Sequence, residues 1–196
     1  MQDQTTIRRA TVDDAPRIAD IHVRTAQRAF RAHVPAHILA AITIEDRLER
    51  WTECTGRQQP GASVWVAEDE GVVVGFCFVE PSREDDATPA TGLLKSLYVD
   101  PAAAGRGIGT ALMQTGLKSL AECGFHDATL WVIEANERAQ TFYRHRGWEP
   151  DGAVRTEEQD GFTFRELRMR RTTLTPATPR PEGTRRSAGE GGERSS

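Results

Sequence analysis

Cysteines, basic charge in excess and long apolar runs are all scarce in this sequence of 196 residues, and each scarcity excludes a class of protein. The three cysteines are Cys54, Cys77 and Cys123. Because they are odd in number and far apart, they argue against a disulfide framework and against a zinc site, and no metal is expected. Isolated thiols of this kind are typical of a reducing compartment.

Neither a membrane nor a nucleic acid is expected among the partners. No run approaches the about 20 apolar residues of a membrane helix, and residues 1–10 have no apolar core of a secretory signal. The formal net charge of -4 argues against a general nucleic-acid-binding surface, which would need a basic excess. We therefore expect a cytoplasmic protein.

The composition changes sharply after Arg171. The length and the 38% hydrophobic content fit one domain that needs no disulfide or metal to hold it. The last 25 residues contain no aromatic side chain and are rich in Thr, Pro, Gly, Ser and Arg, so they cannot bury enough apolar area to offset the entropy of ordering them. We predict one domain over residues 1–171 and a disordered polar tail over residues 172–196.

Hydrophobic periodicity predicts seven strands and four helices in the order β-α-α-β-β-β-α-β-α-β-β. The strands are expected at 5–10, 63–67, 72–79, 93–99, 129–133, 153–156 and 162–169, and the helices at 14–31, 44–54, within 102–123 and from 136 to 147. Hairpins come first and strand-helix crossovers later. This order predicts an α/β (α+β) domain, a mixed sheet with helices on both faces.

The most informative segment runs from Leu97 to Thr110, where a strand leads into glycines at alternate positions and then into an amphipathic helix. The free N–H groups and positive end of a helix form an anion site, and glycines let a phosphate approach the backbone. Arg106 would add a charge-assisted contact. No Lys-Ser or Lys-Thr follows as in a P-loop, and the G-x-G-x-G spacing differs from a dinucleotide fingerprint. A turn whose glycines serve chain geometry alone is the alternative.

Two segments in this order resemble a known family. Residues 97–112 resemble motif A of the GCN5-related N-acetyltransferase (GNAT) superfamily, [QR]-x-x-G-x-[GA], with Gly107 and Gly109 in place and Ala104 where the pattern has Gln or Arg. Residues 130–148 meet every fixed position of motif B, L-x-V-x-x-x-N-x-x-A-x-x-F-Y-x-x-x-G-[FW]. Together the motifs are more specific than either alone, and the resemblance covers about residues 5–170.

The resemblance implies an N-acetyltransferase that uses acetyl-CoA as co-substrate. It implies a mostly antiparallel sheet in which two neighbouring parallel strands splay apart to admit the pantetheine arm. The arm would lie against the strand at Leu97, Tyr98 and Val99, and Asn136 would contact the coenzyme while also capping its helix. The pyrophosphate would be held by the turn, which consists of Ala104, Gly105, Arg106, Gly107, Ile108, Gly109 and Thr110.

The resemblance also implies that Tyr143 is the general acid, because a phenol near the thioester sulfur can protonate the departing thiolate. The general base is less clearly indicated. Family members place a glutamate at the position of Leu93 or, when they acetylate protein N-termini, at that of Trp131. Glu134, at the end of its strand beside Asn136, is therefore the candidate, unless a water relay or an amine of lowered pKa removes the need for a base.

The acceptor is expected to be a primary amine of a small molecule or of a protein. By resemblance it would face the segments 30–44 and 155–162, and the family is compatible with a homodimer. A non-catalytic acyl-CoA-binding module is the alternative, because Leu93 and Ala104 depart from the family pattern. Tyr143 argues against that alternative.

Overall fold

Seven strands form a single mixed sheet in the computed structural model, which describes residues 5–57, 59–159 and 162–174. The strands are β1 (Thr6–Arg9), β2 (Ser63–Asp69), β3 (Val72–Pro81), β4 (Thr91–Val99), β5 (Asp127–Ile133), β6 (Glu149–Gln159) and β7 (Phe162–Thr172). Their order across the sheet is β1-β2-β3-β4-β5-β7-β6. β4 and β5 are parallel and the other neighbouring pairs are antiparallel, which confirms the predicted fold class.

Helices cover both faces of the sheet. They are α1 (Ala15–Phe30), α2 (Ala36–Ala40), α3 (Ile44–Gly56), α4 (Ile108–Glu122) and α5 (Glu137–Arg144). On one face, α1 and α3 pack on β2 and β3 around the fully buried Trp51 and Phe76. On the other face, α4 packs with β5 and β7 around Leu112, Leu130 and Trp148. The sheet therefore has two separate apolar cores, which we call the α1/α3 face and the α4/α5 face.

The first helix begins where its cap residues predict. Thr11 and Asp14 form a capping box, in which the side chain of each residue accepts a hydrogen bond from the backbone N–H group of the other. Arg8 donates to both carboxylate oxygens of Asp14, over 2.7 and 2.9 Å. This hydrogen bonding outweighs the effect of burial, so the pKa of Asp14 lies below its usual value. The bond also ties β1 to the start of α1.

One α-helix of the described residues was not predicted from the sequence. This short helix, α2, includes His37 and lies between the predicted helices at 14–31 and 44–54. Its five residues are too few to show a helical period, and Pro35 directly precedes them, so periodicity gave no signal. The turn between the last two strands, at residues 160–161, and the part of the predicted polar tail from residue 175 onward lie outside the described residues.

The packed chain reaches beyond β7. Leu174 is buried, and its N–H group donates to the His126 carbonyl over 2.8 Å. The domain boundary at Arg171 stays a prediction. Within the described ranges, no helix combines the length and the apolar character that crossing a membrane requires.

Candidate active site

A gap opens in the sheet between the two parallel strands. β4 and β5 are paired at only three positions, Thr91 with Asp127, Gly92 with Ala128 and Leu93 with Thr129. Beyond these pairs β4 stays with β3 as far as Val99, while β5 stays with β7 as far as Ile133. The two strands therefore diverge over their second halves, and the predicted splayed pair is confirmed.

The β4 side of this gap presents backbone groups to a ligand. Asp100 donates its N–H to the Val74 carbonyl on β3 over 2.8 Å. Because neighbouring residues of a strand point their backbone groups to opposite sides, Leu97 and Val99 turn theirs toward the gap. The Val99 carbonyl accepts a hydrogen bond from the Thr25 hydroxyl at 3.4 Å, its one partner among the described residues. These groups suit hydrogen bonds to an extended arm such as pantetheine.

An irregularity in β4 accompanies the gap. Phe78 pairs with Ser96 but Val79 pairs with Leu94, so Lys95 is an extra residue without an opposite partner. Such a bulge bends its strand and strengthens the local twist. It lies between the last β4–β5 pair, at Leu93, and the half-buried Leu97. The bulge thus coincides with the point where β4 leaves β5.

Asp100 fixes the end of β4 and the entry to the glycine turn. Its carboxylate accepts hydrogen bonds from the Ala102 amide at 3.0 Å, Arg17 at 2.8 Å and Arg24 at 3.2 Å. Burial alone would raise the pKa of this carboxyl, but the amide and the two guanidinium groups outweigh burial, so the pKa is lowered. The charged carboxylate therefore joins α1 to the turn.

The glycines of the turn have conformations that other residues rarely adopt. Gly105 and Gly107 have φ angles of +85° and +80°, and a side chain added at either would project into open space. Gly107 is also the N-cap of α4, so no side chain occupies the free amides of the first helical turn. At neighbouring Ala104 the backbone is extended. The turn is an open cradle of backbone N–H groups at a helix N-terminus, as an anion site requires.

Two arginines flank the cradle. Arg106, the residue predicted to help bind phosphate, donates to Asp69 at the end of β2 over 2.7 Å. Arg146 follows α5 and reaches the first turn of α4, where its Nε donates to Thr110 Oγ1 over 2.8 Å. Its guanidinium lies 3.7 Å from the centre of the Phe142 ring and also donates to the Phe142 carbonyl. Sequence analysis missed Arg146, since it lies at a variable position of motif B.

The β5 side of the gap carries Asn136 and Glu134. Asn136 caps α5 by accepting a hydrogen bond from the Ala139 amide at 3.1 Å. The Glu134 amide donates to Arg165 on β7, and its carboxylate forms an ion pair with the Arg165 side chain at 3.2 Å. The Glu134 side chain is 42% exposed. Every second residue of a strand faces the same side, so Glu134 lies on the α4/α5 face together with Val132 and Leu130.

Tyr143 lies on α5 and packs edge-on against Phe142 and Trp148, with ring centres 5.3 and 6.1 Å away. Burial raises the pKa of its phenol above the usual value, and Tyr98 on β4 and Cys77 on β3 raise it further. Tyr143 is therefore protonated at neutral pH.

A third set of side chains lines the gap on the α1/α3 face, which we call the acceptor face. Glu166 on β7 pairs with Ile133, the last residue of β5. Its carboxylate is 14% exposed and accepts a hydrogen bond from Arg155 on β6 at 2.6 Å. The Arg155 guanidinium lies 4.4 Å from the centre of the Trp131 ring. Sequence analysis missed Glu166, although its alternation with Leu167 and Met169 could have marked it as facing away from the α4/α5 core.

Comparison with known proteins gives the family. The family model described as the acetyltransferase (GNAT) family matches residues 26–148, more than half of the chain. An N-acetyltransferase of Bacillus subtilis (YuaI) is 26% identical over 170 residues, which are 86% of this chain and 91% of that protein.

Solved structures agree with this result. A ribosomal-protein-alanine N-acetyltransferase from Brucella melitensis superposes with a TM-score of 0.68 at 26% identity, over 85% of this chain and 99% of that one. An acetyltransferase from Salmonella typhimurium, solved with its cofactor acetyl-CoA, gives 0.67 at 25% identity, over 91% and 99%.

The chain belongs to the acetyltransferase (GNAT) family. The resemblance drawn from motifs A and B is confirmed, and so is the class of enzyme, an N-acetyltransferase. The roles of individual residues are not tested by these comparisons and stay predictions.

Proposed function

We propose that this protein transfers the acetyl group of acetyl-CoA to a primary amine. The observation that carries the proposal is the alignment of the β4–β5 gap with the glycine cradle at the start of α4. An extended arm bonded to Leu97 and Val99 would lead to its phosphates at the amides around Gly105 and Gly107. The open space above these glycines fits a pyrophosphate, since any side chain there would fill it.

The residues proposed to hold the coenzyme are those predicted from the motifs. The β4 backbone at Leu97, Tyr98 and Val99 would bind the arm, and Asn136 would approach it from the start of α5. The turn from Ala104 to Thr110 would bind the pyrophosphate, with Arg106 and Arg146 as flanking cations. When bound, acetyl-CoA supplies an acetyl group activated as a thioester.

In the transfer, a new N–C bond forms to the acetyl group while the C–S bond breaks. The amine loses a proton to a base, and the thiolate gains one from Tyr143, whose pKa is raised by burial so that the proton is present at neutral pH. Tyr143 then recovers a proton from solvent. We propose Tyr143 as the acid and retain Glu134 as a candidate base.

Glu166 is a second candidate base. Its carboxylate lies on the acceptor face, where the amine would arrive, whereas Glu134 is held by Arg165 on the opposite face. One of the two carboxylates would accept the amine proton directly or through a water.

A small-molecule amine is the proposed acceptor. Phe162, near the tip of the β6–β7 hairpin, packs on Val34, Ile38 and Leu39 at and beside α2. This contact joins the segments 30–44 and 155–162, which are expected to face the acceptor. It leaves less room between them for a polypeptide to reach the β4–β5 gap. We also propose a cytoplasmic location, in keeping with three free thiols. The homodimer stays a prediction.

Isothermal titration with acetyl-CoA, and with free CoA as the control, tests the coenzyme site. We expect micromolar binding of both. A thiol-release assay over an amine panel then tests transfer. Binding of CoA without release of thiol for any amine would favour a non-catalytic acyl-CoA-binding module, and no binding would contradict the proposed function.

A further inference from the structure

Arg47 on α3 is half-buried and carries a buried nitrogen that has no partner among the described residues. Among the side-chain nitrogen and oxygen atoms of those residues, its Nε is the one that is buried with no hydrogen-bond partner. No hydrogen bond or ion pair joins the rest of this guanidinium to any described residue. Leaving a buried donor without a partner is costly, so this atom indicates a missing acceptor, and a guanidinium binds an anionic acceptor most strongly.

Arg47 lies on the side of α3 that faces a set of buried aromatic rings. It is one helical turn before Trp51, on the same side of that helix. Trp51 Nε1 donates to His22 Nδ1 over 3.1 Å, and the His22 ring stacks on Tyr98 with ring centres 4.7 Å apart. Tyr98 borders the β4–β5 gap. These three rings therefore lead from the side of α3 that carries Arg47 to the gap.

A second cation strengthens the positive charge at this position. The Arg50 guanidinium lies 5.4 Å from the centre of the Trp51 ring. Burial raises the pKa of Tyr98, and the charges of Arg47 and Arg50 act in the opposite direction. Glu166 is the acidic group that acts on Tyr98, and its carboxylate is already bound to Arg155.

The location separates Arg47 from the proposed site of the coenzyme phosphates. Arg47 and Trp51 lie on α3 and His22 lies on α1, and both helices pack on the α1/α3 face. The glycine cradle begins α4, which covers the other face. An anion bound by Arg47 would therefore arrive with the acceptor. The Phe162 contact with α2 narrows this region and favours a small acceptor.

We infer that Arg47 binds a carboxylate of the acceptor, and that the acceptor is a small amino acid with its carboxylate close to its amine. This inference rests on the proposed function. The guanidinium would bind the carboxylate through charge-assisted hydrogen bonds. Arg50 would add charge without a direct bond. The carboxylate would hold the amine over the gap between Tyr98 and Glu166.

The test compares free L-amino acids with their carboxamides in the thiol-release assay, since an amide keeps the shape and loses the charge. We expect wild-type kcat/KM for at least one amino acid to exceed that for its carboxamide at least about tenfold. Arg47→Gln should remove this preference by raising KM about 10- to 100-fold with little change in kcat. Arg47→Lys should keep part of it. Arg57→Gln, at the end of the same helix, is the control and should keep all of it.

Three kinetic results would overturn the inference. The first is equal use of amino acids and their carboxamides, and the second is turnover restricted to amines or peptide N-termini without a nearby carboxylate. The third is no turnover of any amino acid while acetyl-CoA binds. So would a weaker acetyl-CoA affinity in Arg47→Gln, which would assign the guanidinium to the coenzyme. Loss of acetyl-CoA binding in the wild type would instead refute the proposed function itself.

Discussion

Arg146 Nε donates a hydrogen bond of 2.8 Å to Thr110 Oγ1 and so joins the end of α5 to the first turn of α4. Because that turn forms the proposed phosphate cradle, the bond holds one wall of the coenzyme site to the other. The position of Arg146 over the Phe142 ring leaves the guanidinium little freedom. This relationship gives the first prediction.

Arg146→Met should weaken acetyl-CoA binding about three- to tenfold. A hydrogen bond to a charged group contributes about 1.5–3 kcal/mol, and part of that loss lowers the stability of the fold without affecting binding. Thr110→Val should weaken it similarly, and the double variant should add little. Titration calorimetry measures all three. Arg144→Gln, whose side chain contacts Gln140 on the same helix, is the control. Independent, additive losses would show that the Arg146–Thr110 bond has no part in binding.

Gly107→Val should abolish measurable acetyl-CoA binding, because the side chain would project into the open cradle. The φ angle of +80° also strains any valine there, at a cost of about 1–2 kcal/mol in stability. Gly124→Val is the matched control. Gly124 has a φ of +90° and open space around it, but it follows the other end of α4. Both variants should lose similar stability in thermal unfolding, and only Gly107→Val should lose affinity. Equal affinities would place the phosphates elsewhere.

Tyr143→Phe should lower kcat roughly 100-fold or more and leave acetyl-CoA affinity nearly unchanged, because only the hydroxyl group that carries the proton is removed. In the wild type the raised pKa of Tyr143 keeps the acid protonated through neutral pH, so its loss should not limit turnover until strongly alkaline pH. Steady-state kinetics and calorimetry on the same preparation separate the two effects. Turnover equal to wild type would remove Tyr143 from the mechanism.

Glu166→Gln should lower kcat/KM more than Glu134→Gln does, by roughly 100-fold against less than threefold. The reason is position, since Glu166 lies on the acceptor face and Glu134 is paired with Arg165 on the other face. A larger loss in Glu134→Gln would return the role to the residue that the sequence predicted.

His22 should make the protein lose stability in mild acid. Burial, helped by the charges of Arg47 and Arg50, lowers its pKa to about 3, well below the usual value of about 6.5. Because the pKa of His22 is lower in the folded than in the unfolded state, the unfolded state takes up a proton first as the pH falls. Stability is therefore full above about pH 6.5 and falls as the pH drops toward 3. Between pH 7.5 and 5 the loss should be about 2 kcal/mol.

Denaturant unfolding at a series of pH values measures this loss. His22→Gln can still accept the Trp51 hydrogen bond but has no charge to gain, so its stability should change less over the same range. Carboxylates such as Asp14 and Asp100, with lowered pKa values, act below about pH 4 in both proteins. Identical slopes for variant and wild type between pH 5 and 7.5 would contradict the assignment.

Local signals were enough to predict the family and the turn and cap that surround the proposed coenzyme site. The glycines at 105 and 107 are needed where φ is positive, and Asn136 caps a helix whatever surrounds it, so these positions can be recognised without a fold. The same locality explains why both ends of α1 and the C-terminal end of α4 were predicted accurately. Helix α2 was missed because five residues carry no period.

The acceptor half depends on contacts between distant segments, which no spacing reveals. Glu166 lies next to the end of β5 because β7 pairs with β5, and Arg47 lies on the side of the sheet that carries Tyr98 because α3 packs on α1. The sequence by itself determined where the chain can turn and where its helices are capped, since these depend on backbone geometry over a few residues. Only the tertiary structure decided which carboxylate and which guanidinium lie on the α1/α3 face, since β-strand pairing and helix packing bring together side chains far apart in the chain.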